Sequence, residues 1–285
     1  MVTGGSGRIG RLLARAWAAA PPPLDPLWQS RQQEEGALHW APLEGPEGLL
    51  FALGDGPPAA MLVLSGVTPG GDTPLKLNAA LARACLDAAR TVGIPRVLYA
   101  SSQAVYGMPG EAPFSETDAP HRASAYGRAK LDAEAVCAAA RSEGLEVCAL
   151  RIGNVFGADA LMRNAARLAP GGALEIDRFA DGRGPLRSYI GPATLAHVLG
   201  ALAADTEPLP PVLNVAAPGA VAMADLATAA RLPWRWTPAP PTAVQSVLLD
   251  CRALARRVHV LPEEATAPGI AAQLARLPKP ASRLS

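Results

Sequence analysis

The stretch Val2-Thr3-Gly4-Gly5-Ser6-Gly7-Arg8-Ile9-Gly10 opens the chain and decides its fold. The glycines at positions 5, 7 and 10 come directly before a run in which apolar residues recur at helical spacing. Such a strand-to-helix turn requires glycine because it is tight and because its backbone must approach a phosphate. The residues predicted to bind a dinucleotide at this helix N-terminus are Gly4, Gly5, Ser6, Gly7, Arg8, Ile9 and Gly10.

The rest of the chain alternates short apolar runs with longer helical patterns. Helical spacing occurs at 77–89 and 125–141, and the runs between are apolar almost throughout, as in parallel strands covered on both faces. This alternation predicts an α/β fold of Rossmann type, with a doubly wound parallel sheet. Only Met1 and Val2 precede the glycine turn, so the first strand is either abbreviated or begins upstream. The other predicted strands are 60–64, 97–100, 147–152 and 212–215.

The alternation of strand and helix patterns becomes weaker in the C-terminal part of the chain. After Asn154, glycine, proline and arginine accumulate and strand signals become rare. We therefore expect a dinucleotide-binding domain of residues 1–155, completed by about 188–217. The remaining segments, 156–187 and 218–285, are expected to form a small C-terminal lobe that binds the substrate.

Composition excludes several classes of function. The 285 residues are 49% hydrophobic and 18% charged, which suits one large α/β domain with a smaller lobe. A net charge of +1 and 5% aromatic content argue against a nucleic-acid partner. No apolar run approaches the ~20 residues of a membrane span and no signal sequence opens the chain, so we expect a cytoplasmic protein without a membrane partner. Its four cysteines and four histidines are scattered, so no metal site is expected.

The end of the second strand bears on the choice of cofactor. Rossmann proteins that bind NAD carry an acidic residue there for the adenosine ribose. The corresponding residues, Leu27-Trp28-Gln29-Ser30-Arg31, include no Asp or Glu. Arg31 can face a 2′-phosphate, which favours NADP over NAD, or it can be a solvated surface charge.

A tyrosine and a lysine stand four residues apart on a predicted helix. Tyr126 and Lys130 therefore share one helix face. The chain has only three lysines, which gives weight to this one. Upstream, the strand at 97–100 ends in Ser101 and Ser102, and ligands bind at the carboxyl ends of strands in open α/β sheets. The sequence predicts that these groups form one site.

Taken together, these motifs resemble the extended short-chain dehydrogenase/reductases, specifically the NAD-dependent epimerase/dehydratase family. The resemblance spans most of the chain, and it implies the family's Rossmann fold and a small-molecule substrate. Besides Tyr126 and Lys130, it is carried by Thr-Gly-Gly-x-Gly-x-x-Gly at 3–10, Ser-Ser-Gln-Ala-Val-Tyr-Gly at 101–107, Arg-Ile-Gly-Asn-Val-Phe-Gly at 151–157, Phe-Ala-Asp-Gly at 179–182 and Arg-Ser-Tyr-Ile at 187–190.

The resemblance implies a role for each catalytic candidate. Tyr126 would be the acid/base, Lys130 the ligand of the nicotinamide ribose, and Ser102 the hydroxyl that holds the substrate oxygen. A free phenol has a pKa of about 10, so a phenolate near neutrality needs positive charge beside it, from Lys130 and the oxidised nicotinamide ring. Asn78 matches a family asparagine that can orient Lys130 through water, although it can equally lie on the helix surface.

Two further positions concern the substrate. Asn154 and Arg187 match residues that, in nucleotide-sugar members, contact the substrate and its diphosphate, and Arg187 can alternatively belong to a structural ion pair. Family dehydratases carry an Asp-Glu pair after the catalytic hydroxyl. Gln103 and Ala104 replace that pair here, so dehydration is disfavoured.

Three functions remain open at this point. The first is an NAD(P)-dependent oxidoreductase that transfers hydride at a carbinol or carbonyl carbon of a sugar-like or other small substrate. The second is a nucleotide-sugar epimerase, similar to UDP-glucose 4-epimerase, that retains NAD, and the third is a non-catalytic NAD(P)-binding regulatory protein. The family's habit of pairing through the alanine-rich helix at 131–140 further predicts a homodimer.

Overall fold

Strands and helices alternate through the described part of the chain. The structure, a computed structural model, describes residues 1–54, 56–107, 112–121 and 124–279. The first elements are β1 (Val2–Thr3), α1 (Arg8–Ala19), β2 (Gln29–Ser30), β3 (Leu38–His39), α2 (Glu47–Leu53), β4 (Met61–Val63), α3 (Leu77–Val92), β5 (Arg96–Ser102), α4 (Ala125–Ser142) and β6 (Glu146–Ile152). They are followed by β7 (Asn154–Val155), α5 (Ala160–Ala165), β8 (Leu174–Arg178), β9 (Leu186–Arg187), β10 (Tyr189–Ile190), α6 (Pro192–Ala204), β11 (Val212–Val215), β12 (Val221–Ala222), α7 (Met223–Ala229), β13 (Trp234–Pro238), β14 (Ser246–Val247), α8 (Arg252–Ala255) and α9 (Ala267–Arg276).

A parallel sheet lies at the centre of the protein. Its five main strands follow the order β1-β4-β5-β6-β11 and all pair in parallel. The parallel pair β2-β3 continues the sheet beyond β1, since Val2 and Trp28 form a parallel bridge and the Val2 N–H donates to the Leu27 carbonyl at 2.8 Å. Strand order therefore reverses between β1 and β4, which is the ligand-binding position of a doubly wound sheet. The predicted Rossmann-type fold is confirmed.

Both faces of the sheet are covered by helices. Strand residues alternate between the two faces: Leu62 and Leu98 belong to the core beneath α1 and α6, whereas Val63 and Val97 belong to the core beneath α3 and α4. This two-sided burial accounts for the unbroken apolar runs in the sequence. Each fully buried aliphatic side chain contributes about 1.5 to 3 kcal/mol of transfer free energy.

A third apolar cluster lies in the C-terminal part of the chain. It includes Phe156, Leu174, Ile176, Leu226 and Ile270, which come from α7, α9, β8 and the segment after β7. Two small sheets accompany it, the parallel pair β13-β8 and the three-stranded β12-β9-β14. Three residues of this cluster, Leu161, Tyr189 and Met223, line the groove described below.

Within the described ranges, no helix is both long and apolar enough to cross a membrane. Among the same residues, no three His, Cys, Asp or Glu side chains approach one another as metal ligands would. The four cysteines are free thiols rather than disulfides.

Candidate active site

The glycine-rich turn after β1 is closed by backbone contacts that exclude larger residues. Gly4 has a positive φ of 75°, and a Cβ there would lie 2.6 Å from the Ser65 nitrogen. A Cβ on Gly10 would lie 2.4 Å from the Gly5 carbonyl oxygen. Helix α1 begins without a side-chain cap and without an acidic residue in its first turn, so its first N–H groups are available to an anion. These features fit a dinucleotide pyrophosphate.

An indole covers the other side of this turn. A Cβ on Gly5 would lie 2.8 Å from Cε3 of Trp28, whose ring packs against Trp17 with a centroid separation of 5.6 Å. Gln29, which is buried, accepts a hydrogen bond from the Gly4 N–H at 3.3 Å and donates one to the Trp40 carbonyl. Gln29 therefore helps to hold the turn, a role that the sequence did not indicate.

Two adjoining clefts of about 680 and 770 Å³ run along the carboxyl ends of the strands. The first contains Ser102, Tyr126 and Asn154, and the second contains Ser30 and Arg31. Together they form one groove, here called the dinucleotide groove, that leads from Arg31 to Tyr126. The residues common to both clefts are Gly4, Ser6, Gly7, Arg8, Leu64, Gly66, Thr68, Pro69 and Arg163.

Ser102 and Tyr126 meet where β5 ends and α4 begins. Helix α4 is capped by Ser124, whose Oγ accepts from the Gly127 N–H at 2.9 Å. A Cβ on Gly127 would lie 2.3 Å from the Ala104 carbonyl oxygen, so glycine lets the helix approach the strand end. Burial raises the pKa of Tyr126, while the nearby Ser102 hydroxyl and the positive charge of Arg8 lower it.

Lys130 lies behind Tyr126 and is buried. Its Nζ donates to the Ala100 carbonyl at 2.7 Å and to the Tyr99 hydroxyl at 3.2 Å, and lies 6.0 Å from the centre of the Tyr126 ring. Burial lowers the pKa of Lys130 to about 8. The sequence assigned the charge that stabilises the phenolate to Lys130, whereas the structure adds Arg8 as a cation that acts on Tyr126.

Asn78 fastens the loop between β4 and α3. Its Nδ2 donates to the carbonyls of Val67 at 3.0 Å and Leu75 at 2.9 Å, and its Oδ1 accepts from the Val67 N–H at 3.0 Å. The alternative of a helix-surface position is wrong, because this residue is fully buried. A Cβ on Gly66 would lie 2.9 Å from Asn78 Oδ1 and 3.3 Å from Lys130 Nζ, so Gly66 lies between them. Orientation of Lys130 through water stays a prediction.

The two substrate candidates occupy different surroundings. Asn154 lines the groove, and its Oδ1 accepts from Gln103 Nε2 at 2.8 Å. Arg187 donates to three carbonyls, of Leu186 at 2.8 Å, Gln245 at 2.9 Å and Val244 at 2.8 Å. It forms no ion pair within the described ranges, so its alternative assignment to an ion pair is wrong there. Asn154 lines the same cleft as Ser102 and Tyr126, whereas Arg187 lines neither cleft.

The groove also contains residues that sequence reasoning missed. Asp159 and Tyr189 also line the groove, where the buried Tyr189 hydroxyl interacts with the carboxylate of Asp159. Burial raises the pKa of Asp159. Arg163 lines the groove as well. The sequence could have indicated Asp159 and Arg163 only by their position, because they closely follow the family motif at 151–157.

The glycine turn, strand order and groove define a Rossmann-type dinucleotide-binding protein. Residues 1–185 match the model of the NAD dependent epimerase/dehydratase family. That match covers more than half of the chain, and the chain belongs to this family. The resemblance noted in the sequence is confirmed.

Several solved structures are similar to this chain over almost its whole length. MoeE5 in complex with UDP-glucuronic acid and NAD is 24% identical, with a TM-score of 0.73, and the match covers 96% of this chain and 98% of that one. UDP-glucose 4-epimerase from Brucella ovis in complex with NAD is 22% identical, with a TM-score of 0.76 and 95% of each chain covered. TunA, an NAD dependent NDP-hexosamine 5,6-dehydratase, is 22% identical, with a TM-score of 0.70 and 96% of each chain covered. At these identities the similarity shows the fold.

Among curated proteins, the chain is similar to the uncharacterized protein y4nG of Sinorhizobium fredii (strain NBRC 101917 / NGR234). They are 40% identical over 73 residues, which is 25% of this chain. The match spans only 18% of the length of that relative. MoeE5 and the Brucella enzyme hold NAD, so the comparisons do not support the predicted preference for NADP.

Proposed function

We propose that this protein is an NAD(P)-dependent oxidoreductase that transfers hydride at a carbinol or carbonyl carbon of a sugar-like or other small substrate. The observation that supports the proposal is that Ser102 and Tyr126 line the same groove as the glycine turn, with Lys130 packed behind Tyr126. When bound, the dinucleotide supplies the hydride acceptor or donor. The side chains of this protein supply binding, orientation and proton transfer.

Three side chains divide this work. Ser102 holds the substrate oxygen, and Tyr126 takes the hydroxyl proton in oxidation and returns it in reduction. Lys130, fixed by Tyr99 and Ala100, holds the nicotinamide ribose. The carboxylates that dehydration uses are replaced by Gln103 and Ala104, and Gln103 is bound to Asn154.

Nucleotide-sugar epimerisation with retained NAD is the second candidate. It is supported by Asn154 at the groove and by similarity to MoeE5 and to the Brucella epimerase. Arg187 weighs against it, because the donors expected to bind the substrate diphosphate contact backbone carbonyls instead. An epimerase must return the hydride to the same substrate, so it has to hold its cofactor through the cycle. Cofactor retention therefore separates the two candidates.

The nucleotide released when freshly purified protein is denatured tests both candidates. A net oxidoreductase should release little nucleotide and should bind added NAD(H) or NADP(H) reversibly. Stoichiometric NAD in the released fraction would favour the epimerase. Failure to bind either dinucleotide, with none released, would overturn the proposal.

The end of the groove near Arg31 is where we expect the adenosine to bind, so its residues determine whether NAD or NADP is preferred. Arg31 lines this end, and its side chain is exposed. No Asp or Glu is among the described residues that line this cleft. If Arg31 contacts a 2′-phosphate, Arg31→Ala should weaken NADP binding about tenfold and leave NAD binding unchanged. An equal effect on both cofactors would identify Arg31 as a general surface charge.

We further propose that the protein is a homodimer that pairs through α4. This helix packs against α3 on one side and leaves Ala135, Ala138 and Ala139 exposed on the other. Small side chains allow a second helix to approach closely. Light scattering should give twice the 29.3 kDa mass of the chain, and a monomer would reject the proposal.

A further inference from the structure

Arg8 spans the dinucleotide groove. It is the first residue of α1, and its two terminal nitrogens donate to opposite walls. One donates to the Ala158 carbonyl at 2.9 Å, after β7, and the other to the Thr68 hydroxyl at 3.0 Å, after β4. The guanidinium has five N–H donors, so donors remain for a ligand. A cation is thus held directly beside the N–H groups of the glycine turn.

A second guanidinium lies on the facing wall. Arg163, on α5, lines both clefts and is half-buried. Within the described ranges its side chain forms no hydrogen bond or ion pair. Burial lowers the pKa of Arg8, the positive charge of Arg163 lowers it further, and the charges of Asp159 and Tyr126 act against this. Two like charges therefore line the same groove.

The chemistry of this arrangement selects a phosphate ligand. Guanidinium groups bind phosphate oxygens through paired N–H donors, and the N-terminus of α1 contributes backbone N–H groups and a positive dipole. The second cleft, which contains Ser30 and Arg31, is lined by the arginines Arg8, Arg31, Arg163 and Arg167. A dianionic diphosphate between Arg8 and Arg163 would remove their repulsion.

We propose that Arg8 and Arg163 clamp the diphosphate of the dinucleotide from opposite walls, so that the bound cofactor joins the small lobe to the Rossmann domain. This inference rests on the proposed dinucleotide function. Arg8 belongs to the predicted cofactor turn, whereas Arg163 is a new binding residue on the opposite wall. Because both walls hold the ligand, its dissociation requires two contacts to break.

Binding of ADP-ribose, measured by calorimetry, tests the clamp. Arg8→Gln and Arg163→Met should each weaken binding about 10- to 100-fold, the range for one charge-assisted contact. Arg8→Lys, which keeps the charge, provides a second variant. Arg83→Met, which removes an exposed arginine of α3 outside the groove, is the matched control and should bind as wild type does. Adenosine, which lacks phosphate, should bind all variants equally.

A structural measurement adds a second readout. ADP-ribose should slow amide hydrogen exchange across 159–168 in wild type, and Arg163→Met should lose this protection while it keeps protection at the glycine turn. Circular dichroism and thermal unfolding verify that each variant is folded.

The outcomes separate the two proposals. If wild type fails to bind ADP-ribose and NAD, the proposed function is wrong. If wild type binds both and the variants bind equally well, the clamp is wrong and the proposed function stands. If Arg163→Met leaves ADP-ribose binding unchanged and weakens UDP binding, Arg163 serves a substrate diphosphate instead, which also overturns the clamp.

Discussion

The carboxylate of Glu134 and the guanidinium of Arg151 form a buried ion pair, with Oε2 and Nη2 2.8 Å apart and side chains only 9% and 6% exposed. The hydroxyl of Ser101 donates to the same carboxylate. The pair joins α4, which carries Tyr126 and Lys130, to the carboxyl ends of β5 and β6. It therefore helps to set the position of α4 relative to Ser102.

Glu134→Gln should destabilise the protein strongly. Removing one partner of a buried pair leaves the other charge uncompensated, which costs about 3 to 5 kcal/mol. The free energy of unfolding in urea measures this cost. Glu175→Gln breaks the exposed Arg235 ion pair, whose side chains are 69% and 55% exposed, and should cost less than about 1 kcal/mol. Equal effects of the two variants would contradict this account.

Tyr126→Phe should remove catalysis and leave cofactor binding intact. In the proposed function the phenol donates and accepts the proton, so its loss should lower kcat at least about 100-fold. ADP-ribose binding should stay within about twofold, since the ring remains. Full activity of this variant on a genuine substrate would refute the assignment of Tyr126. A wild-type protein that binds dinucleotide but turns over no carbinol or carbonyl substrate would instead favour the regulatory alternative.

Lys130 should make stability depend on pH in a defined window. Its pKa is about 8 in the folded protein and 10.5 in the unfolded chain, so the unfolded chain binds more protons between these values. The free energy of unfolding therefore rises between pH 8 and 10.5 as Lys130 loses its charge. Below pH 8, the full cost of burying the charged lysine destabilises the protein. The difference in unfolding free energy between Lys130→Met and wild type should shrink by roughly 3 kcal/mol across this window.

Titratable groups that wild type and the Lys130→Met variant share, such as the buried Cys85 thiol, contribute equally to both unfolding free energies. Their contributions therefore cancel in the difference. A difference that stays constant with pH would show that Lys130 keeps an ordinary pKa.

Arg8 should also influence the chemistry of Tyr126. Its positive charge lowers the pKa of the phenol, so Arg8→Gln should raise that pKa. The pH profile of kcat in the oxidation direction would then move to higher pH, because more hydroxide is needed to form the phenolate. Arg8→Lys should keep the wild-type profile. If the profile is the same in all three proteins, Arg8 acts only in binding.

Local patterns in the sequence predicted much of the fold. The run at 212–215 coincides with β11, and 97–100 lies inside β5, which extends over Arg96–Ser102. The strand continues to Ser101 and Ser102 because these pair with Arg151 and Ile152 of β6, which periodicity does not reveal. Helical spacing likewise predicted α4 and the shared face of its tyrosine and lysine.

Contacts between distant segments could not be predicted in the same way. Arg151 and Glu134 are 17 residues apart, and Arg187 contacts the Gln245 carbonyl 58 residues away. The local sequence around an arginine does not show whether its side chain contacts a diphosphate, a carboxylate or backbone carbonyls. Tertiary packing decides among these partners, so the sequence alone could not show that Arg187 contacts backbone carbonyls or that Arg163 lines the groove.

The contact between Trp28 and Gly5 gives this protein a fluorescent reporter of its own cofactor turn. Indole emission depends on surrounding charge and polarity, and Trp28 packs where the first glycines bend. A ligand that fills the turn should change the emission, and reduced nicotinamide should accept excitation energy from the indole. Trp28→Phe should remove most of the signal, with the other four tryptophans as background. Dinucleotide binding can therefore be followed in the unlabelled protein without a substrate.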